Sequence, residues 1–332
     1  MLRNSLIAFA AAAVCVLHAP AHAQPATTTL RIQDYPGIGN FLVRVANANG
    51  LCEKHGVKCE LRTIPQAPLA MQTLLAGDLE VAFTPPEVIV QAANKGADLK
   101  VIGSGARSPN FFLMAGAGLA SPNADKGYPA VMQDFKGKKI GVTARGSAAE
   151  FQLVSLLKGA GMTAQDVTIV AVGSPNTAFP AISQKQVEGL MLFAPMDGFC
   201  EVTKACRMVV DPRKGQGPTD VLDTNGAAVL QVVRAEFLQK NPKAVEGFRQ
   251  AMREAGDFAQ NPANFGALLK TAQETFKISA PDGDKILEVS LRNSVPAFQF
   301  PVDAKAFQHA AQYMQRTGQI DKVVDTAKLL AQ

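Results

Sequence analysis

Several residue types and motifs are scarce in this chain, and their scarcity narrows the possible functions. The sequence has no tryptophan, only three tyrosines and only four histidines. It contains no Gly-x-Ser-x-Gly, His-Glu-x-x-His or Walker sequence, the signatures of common hydrolases, metalloproteases and NTPases. His18 and His22 lie in an N-terminal segment that we expect to be removed, and His55 and His309 lie away from the candidate turns described below. We therefore expect no enzyme activity, no cofactor and no metal.

Long hydrophobic runs and clusters of positive charge are also missing. After residue 23, no stretch reaches the roughly 18 uncharged apolar residues that a membrane-spanning helix needs. The formal net charge is +5, but lysines and arginines are scattered along the chain, which argues against nucleic acid as a partner. We expect a monomer whose partners are small molecules or other proteins.

The first 23 residues have the three parts of an export signal. Arg3 supplies the positive charge, Leu6 to Leu17 is a short apolar run, and Ala21-His22-Ala23 matches a small-x-small cleavage site. A lipoprotein anchored through Cys15 is the alternative, but Val14 fits that modification poorly. The mature chain of roughly 309 residues (332 − 23) would lie outside the cytoplasm and is long enough for two domains.

Cysteine usage agrees with export. Of five cysteines, four follow the signal, and they form two close pairs in sequence: Cys52 with Cys59, and Cys200 with Cys206. Four cysteines allow three pairings, of which the two local bridges need the least rearrangement of the chain. Oxidising compartments favour such bridges. A metal site in which His55 joins Cys52 and Cys59 is the alternative, and it lacks a fourth ligand.

One short pattern occurs twice, and this repeat is the most informative feature of the chain. Residues 79–85 read LEVAFTP and residues 187–195 read VEGLMLFAP. Aligning Glu80 with Glu188 (188 − 80 = 108) also brings two earlier pairs into register: Ile32 with Ile140, and Gly39 with Ser147. Two similar lobes usually face each other across a cleft, where small ligands bind.

Strand-like and helix-like segments alternate from Leu30 to about Val210. This alternation predicts an α/β protein with mostly parallel sheets and helices on both faces. From Ala235 onward the pattern is helical, and we expect this tail to pack on the first lobe.

A passage rich in glycine, serine and proline at 116–129 marks a crossing into the second lobe. A second glycine- and proline-rich passage, 212–218, precedes a predicted strand at 227–233 that we expect to cross back. Two crossings form a hinge that can close without disrupting either core. We expect the following division: lobe 1 at 24–114 and 228–332, lobe 2 at 115–227, and hinge crossings near 111–118 and 224–230.

The turn after the first predicted strand is a candidate ligand-binding segment. Tyr35 could stack on a ligand or form a hydrogen bond with it. Gly37 and Gly39 would leave the main-chain amides around Ile38, at the start of the next helix, free to meet a ligand. The dinucleotide fingerprint is incomplete because Leu42 occupies its third glycine position. A tight turn that requires glycine is the alternative interpretation.

The matching turn of the second lobe is the stronger candidate. Ser147 is a good N-cap, and the amides from Gly146 to Ala149, including that of Ala148, would point outward with the positive end of the helix dipole behind them. Arg145 could add a two-pronged hydrogen bond to a carboxylate or sulfonate. In the alternative interpretation, Ser147 only caps the helix and Arg145 lies in solvent.

Further candidates follow the strands at their carboxyl ends, the edge where open α/β sheets bind ligands. Thr84 offers a hydroxyl, Phe193 an apolar wall, and Pro85 and Pro195 stiffen the turns that carry them. Ser104, at the end of the fourth predicted strand, is a weaker candidate. Each of these residues could instead serve packing alone.

Four stretches occur in an order and spacing typical of one protein family: LAGDLEVA (75–82), GKKIGVTARGS (137–147), LLKGAGM (156–162) and KQVEGLMLFAP (185–195). Through them the chain resembles the periplasmic solute-binding proteins of ABC importers, specifically the nitrate/sulfonate/taurine-type group related to the pyrimidine-precursor binding proteins. The chain departs from the family pattern at Glu80 and Glu188, where aspartate is usual.

The resemblance implies a two-lobed, type II periplasmic-binding fold that closes on a small, often anionic, solute in the periplasm. It implies delivery of that solute to an ABC permease in the inner membrane, with ligand contacts at 35–39, 84–85, 145–148 and 193–195. The aromatic residues and prolines among the candidates favour an organic sulfonate or carboxylate over a bare inorganic ion. Two alternatives remain: an enzyme on the same fold acting on a small organic acid or pyrimidine precursor, and a sensory binding module.

Overall fold

The computed structural model describes residues 27–108, 110–278 and 280–331. The predicted export signal, residues 1–23, lies outside the described residues. Within those ranges, the helices are too short or too polar to cross a membrane.

The secondary structure alternates as the sequence predicts. The strands are β1 (Thr28–Asp34), β2 (Val57–Thr63), β3 (Ala82–Thr84), β4 (Leu99–Ala106), β5 (Phe112–Gly116), β6 (Lys139–Val142), β7 (Thr168–Ala171), β8 (Gly189–Leu192), β9 (Cys206–Val210) and β10 (Val229–Arg234). The α-helices are α1 (Phe41–Ala48), α2 (Leu51–Lys54), α3 (Ala67–Ala76), α4 (Pro86–Asn94), α5 (Ala148–Gly159), α6 (Pro175–Ser183), α7 (Met196–Thr203), α8 (Thr219–Leu222), α9 (Ala235–Lys240), α10 (Pro242–Gln260), α11 (Phe265–Thr275), α12 (Gly283–Ser294) and α13 (Ala304–Arg316).

The strands form two sheets with the same topology. In the first, β1 pairs with β2 in parallel. A parallel bridge joins Ile32 of β1 to Val81, the residue directly before β3. Strand β10 lies between β3 and β4 and is antiparallel to both. In the second, the order is β7-β6-β8-β5-β9, and β5 is the antiparallel strand. In each sheet, one strand is antiparallel to all the others. The predicted α/β class with mostly parallel sheets is confirmed.

The repeat is visible in the hydrogen bonds. Glu80 Oε2 accepts the main-chain N–H of Arg31 at 2.7 Å, and Glu188 Oε2 accepts that of Lys139 at 2.8 Å. The second pair is the first moved by 108 residues (31 + 108 = 139; 80 + 108 = 188). Each glutamate therefore connects the segment before one strand to the main chain of a neighbouring strand, the middle of β1 in the first sheet and the first residue of β6 in the second.

The chain enters the second sheet earlier than the sequence suggests. Strand β5 begins at Phe112 and pairs along its length with β8 and β9, so a lobe boundary at 114 would cut through a strand. The reason is its antiparallel pairing with distant segments, which local patterns do not report. We retain the division into two lobes as a proposal, with the first crossing placed before Phe112.

The C-terminal helices pack on the first half of the molecule, as expected, and one of them also contacts the second half. Helices α10 and α13 pack on α1 and α4, but α12 packs on α7 of the second half. This approach depends on Gly198, because a Cβ there would lie 2.3 Å from the main-chain oxygen of Ile286. The Ser290 hydroxyl of α12 also donates to Asp197 Oδ1 at 2.7 Å.

Both local cysteine pairings are confirmed. Cys52 is bonded to Cys59 and Cys200 to Cys206, and each disulfide closes a connection from a helix to the following strand. His55 Nε2 lies 2.9 Å from Glu254 Oε1, so its ring contacts α10 rather than a cysteine metal site.

Candidate functional site

A small cavity lies between the two sheets, at the turns that follow their strands. It encloses about 30 Å³, which is room for roughly two water molecules. This space is smaller than an organic solute needs, so the two halves lie close together at these turns, and we call this arrangement the closed form. Five of the predicted site residues line it: Tyr35 and Pro85 from the first half, and Ser147, Ala148 and Phe193 from the second. Phe83 and Thr143, which belong to the same segments, also line it.

Aromatic rings from both halves form one wall of the cavity. The Phe193 ring packs edge to face against Tyr35 and against Phe111, with ring centroids 5.7 Å apart in each pair. Tyr35 is buried, and this burial raises the pKa of its hydroxyl above the ordinary range, with a smaller contribution from Asp34. The hydroxyl is therefore a neutral hydrogen-bonding group at physiological pH.

The two glycines of the first turn are required by close contacts. A Cβ on Gly37 would lie 2.2 Å from the Phe193 ring, and a Cβ on Gly39 would lie 2.2 Å from the Tyr35 hydroxyl. The amide of Ile38 donates to the Ala194 carbonyl oxygen across the cleft at 3.3 Å. This amide therefore connects the two halves in the closed form.

In the second turn, Arg145 points away from the cavity. Its guanidinium lies 2.8 Å from Glu150 Oε1, donates to the Ile169 carbonyl oxygen and leaves 64% of the side chain exposed. The Gly146 amide donates to Glu150 Oε2 at 2.6 Å. Arg145 and Gly146 thus belong to the helix cap, while Ser147 both caps α5, through a bond from the Glu150 amide, and lines the cavity.

Two amides at the start of α5 have no hydrogen-bond acceptor among the residues that the structure describes. Ala148 and Ala149 occupy the first two helical positions, where no intrahelical acceptor exists, and neither donates to a described residue. Ala148 lines the cavity. These amides, with the positive end of the helix dipole, are suited to an anionic or otherwise acceptor-rich group.

The remaining candidates lie beside the cavity rather than in its wall. The Thr84 hydroxyl is buried without a hydrogen-bond partner among the described residues, next to the lining residues Phe83 and Pro85. The Ser104 hydroxyl donates to the Val229 carbonyl oxygen at 3.1 Å, within the first sheet. Pro195 lines a separate surface cavity beside Asp34. Neither Ser104 nor Pro195 lines the central cavity.

Sequence reasoning missed several polar lining residues. Gln33, Gln66 and Asn110 all contribute to the cavity, together with Phe111 and Pro65. Gln66 follows β2, so the rule that ligands bind at the carboxyl ends of strands could have found it. Asn110 lies in the first crossing between sheets, where the sequence carries no comparable signal.

The cavity is electrically neutral in its side chains. None of its described lining residues is charged. The nearest carboxylate of the first turn, Asp34, is bonded to Arg44 at 2.8 Å and accepts a further bond from Asn40. Any charge on a ligand would therefore be stabilised by main-chain amides and neutral polar groups.

Comparison with known proteins identifies the family. The model of the family described as NMT1/THI5 like matches residues 41–264. The chain belongs to this NMT1/THI5-like family.

A protein of Brucella abortus (strain 2308), named "Putative binding protein", is 27% identical to this NMT1/THI5-like chain over 220 residues. The match covers 66% of this chain and 63% of the length of that relative.

Solved structures share the fold over almost the whole chain. The alkanesulfonate-binding protein SsuA of Xanthomonas axonopodis pv. citri, bound to MOPS, has a TM-score of 0.74 and 19% identity, covering 93% of this chain and 99% of that one. The periplasmic nitrate-binding protein NrtA of Synechocystis PCC 6803 has a TM-score of 0.70 and 13% identity, covering 92% and 86%. The predicted periplasmic-binding fold is confirmed, and these structural neighbours are binding proteins.

Proposed function

We propose that this chain is a periplasmic solute-binding protein that captures a small organic solute between two lobes and delivers it to an ABC permease. The observation that carries the proposal is the central cavity, where the turns of two repeated α/β halves meet around a closed space. Family membership supports a binding role, and the predicted export signal supports the location.

We further propose that the solute has a flat apolar body and an acceptor-rich end of the sulfonate or carboxylate type. The rings of Tyr35, Phe111 and Phe193 supply an apolar wall for the body. The free amides of Ala148 and Ala149 supply donors for the acidic end. Bare inorganic anions would leave the aromatic wall without a partner.

The role proposed for Arg145 is revised. Because its guanidinium is bonded to Glu150 on the protein surface, we propose that the anionic end is held by main-chain amides instead. Helix starts bind anions in this way without a basic side chain.

Calorimetric titration with a panel of small compounds tests the solute class. The panel contains an aryl sulfonate, an aryl carboxylate, a short alkanesulfonate, nitrate and the uncharged aryl sulfonamide. We expect the aryl anions to bind most tightly. Saturable binding of nitrate alone, or equal binding of the sulfonate and the sulfonamide, would contradict the proposal. A compound recovered chemically changed would point to an enzyme.

A matched pair of variants tests the amide site. Ala148→Asp places a carboxylate beside the free amides, whereas Ala148→Asn adds nearly the same volume without charge. We expect the aspartate variant to bind the aryl sulfonate at least about tenfold more weakly than the asparagine variant, because like charges repel strongly in a partly dehydrated site. Equal affinities would show that the anion lies elsewhere.

A further inference from the structure

A buried carboxyl group connects the two halves beside the cavity. Glu87 lies in the first turn of α4, in the first half, and is fully buried. Its Oε1 accepts a hydrogen bond from Gln152 Nε2, on α5 of the second half, at 2.8 Å. The Tyr313 hydroxyl, on α13, donates to the same oxygen at 2.5 Å. The hydrogen bond from Gln152 to Glu87 thus joins the two halves.

Two oxygen atoms of this contact have no donor. Glu87 Oε2 and Gln152 Oε1 are both buried without a hydrogen-bond partner among the described residues. When Glu87 is ionised, both oxygens can only accept hydrogen bonds. The carboxyl of Glu87 and the amide of Gln152 are already joined by one hydrogen bond. One proton on Oε2 would turn it into a donor for Gln152 Oε1 and satisfy both atoms. Leaving both unpaired would be costly in a dry contact.

The electrostatic surroundings also favour the protonated form. Burial raises the pKa of the Glu87 carboxyl above its ordinary value, and the hydrogen bonds from Tyr313 and Gln152 offset this only in part.

Charged groups on the packed elements have partners elsewhere or are exposed. Helix α3 carries no ionisable side chain. Arg234 of β10 donates to main-chain oxygens, Glu150 of α5 pairs with Arg145, and Lys158 of α5 donates to the Arg316 carbonyl oxygen. On α13, Arg316 pairs with Asp220, His309 Nδ1 lies 3.9 Å from Asp223 Oδ2, and Lys305 is exposed.

We propose that Glu87 is protonated in the closed form and pairs with Gln152 through two hydrogen bonds, so that closing the lobes takes up a proton. Glu87 and Gln152 then act as positioning residues: they hold the starts of α4 and α5 against the cavity. The inference rests on the proposed opening and closing of the lobes, and it does not depend on which solute binds.

The direction of the pH effect follows from the two states. In the open form the carboxyl meets water, and its pKa returns to an ordinary value of about 4.3. In the closed form its pKa is raised. The closed form is therefore most stable relative to the open form at pH values below the open-state pKa of Glu87. Its relative stability falls as the pH rises and stops falling above the closed-state pKa of Glu87. Between those limits the ratio of open to closed molecules increases up to about tenfold per pH unit.

Small-angle X-ray scattering of the solute-free protein across about pH 4.5 to about pH 9 measures this opening directly. We expect the radius of gyration of the wild type to increase with pH. Glu87→Gln replaces the proposed acid with an amide that keeps both hydrogen bonds to Gln152, so its radius should stay small at every pH. The control Glu236→Gln removes an exposed carboxylate paired with Lys240 and should behave as the wild type.

Carbon-13 NMR titration of the glutamate carboxyl groups provides a second readout, made on the wild type and assigned with the Glu87→Gln variant. One carboxyl should titrate with a raised pKa, and its resonance should be missing in Glu87→Gln. The proposal is overturned if no glutamate titrates above the ordinary range, or if the wild type and Glu87→Gln open identically with pH. A failure of the compound panel to bind would overturn the solute proposal and leave these results unchanged.

Discussion

Replacing Gly37 by alanine tests the closed cleft most directly. The added Cβ would lie 2.2 and 2.7 Å from two atoms of the Phe193 ring, and 2.9 Å from the Tyr35 ring. Gly37 has an extended backbone, with φ of −151°, so alanine is not strained by the backbone itself. The two shortest contacts are with the Phe193 ring of the other half, and these exist only when the halves are closed.

The expected magnitude follows from overpacking. An extra methyl group forced into a packed contact costs about 1–3 kcal/mol. We therefore expect Gly37→Ala to lower the equilibrium constant for closure roughly 5- to 150-fold. The measurable result is a larger radius of gyration in X-ray scattering. The free energy of unfolding of the open molecule should change little.

Two further variants make this prediction specific. Phe193→Ala in the same chain removes the nearest obstacle and should restore much of the closure lost in Gly37→Ala. Gly266→Ala, in α11, is the matched control, because a Cβ there meets no atom within 4 Å. It should leave scattering unchanged. Normal closure in Gly37→Ala, or no recovery in the double variant, would refute the proposed contact between the halves.

Three other predictions concern single features. Arg145→Ala should change aryl sulfonate affinity less than about twofold in calorimetry, because the guanidinium lies on the surface with Glu150; a tenfold loss would return Arg145 to the site. Thr84→Val should raise the free energy of unfolding in urea by up to about 1 kcal/mol, since it removes a buried unpaired hydroxyl; marked destabilisation would indicate a hidden partner. Replacing both Cys52 and Cys59 by serine should lower that free energy by about 2 kcal/mol, the entropy of a short closed loop, and an unchanged urea midpoint would contradict this.

The fold could be predicted because its signals are local. Alternating apolar patterns define the strands, and the 108-residue repeat reflects a real equivalence, in which Glu80 and Glu188 accept corresponding main-chain amides. The cysteine pairings were also predictable, since each bridge spans one short connection.

The orientation of side chains at the site was harder to predict. Arg145 has the chemistry to bind an anion, but Glu150, five residues on, holds it on the surface. The sequence Ser147-Ala-Ala-Glu150 is a capping-box pattern, and it could have shown that this carboxylate would occupy the cap. The Ser104 hydroxyl is satisfied by Val229, a partner 125 residues away. No local sequence pattern predicts a hydrogen bond between residues so far apart in the chain.

The placement of β10 has a consequence for how the chain folds. The five strands of the second sheet lie within one continuous stretch from Phe112 to Val210, whereas the first sheet needs Val229–Arg234 as an interior strand. During synthesis or translocation from the N-terminus, the first sheet therefore cannot be completed until most of the chain has emerged. The second sheet can therefore assemble before the first sheet, although the first sheet contains the N-terminal strands. Any fragment that ends before residue 229 lacks β10, the strand that lies between β3 and β4.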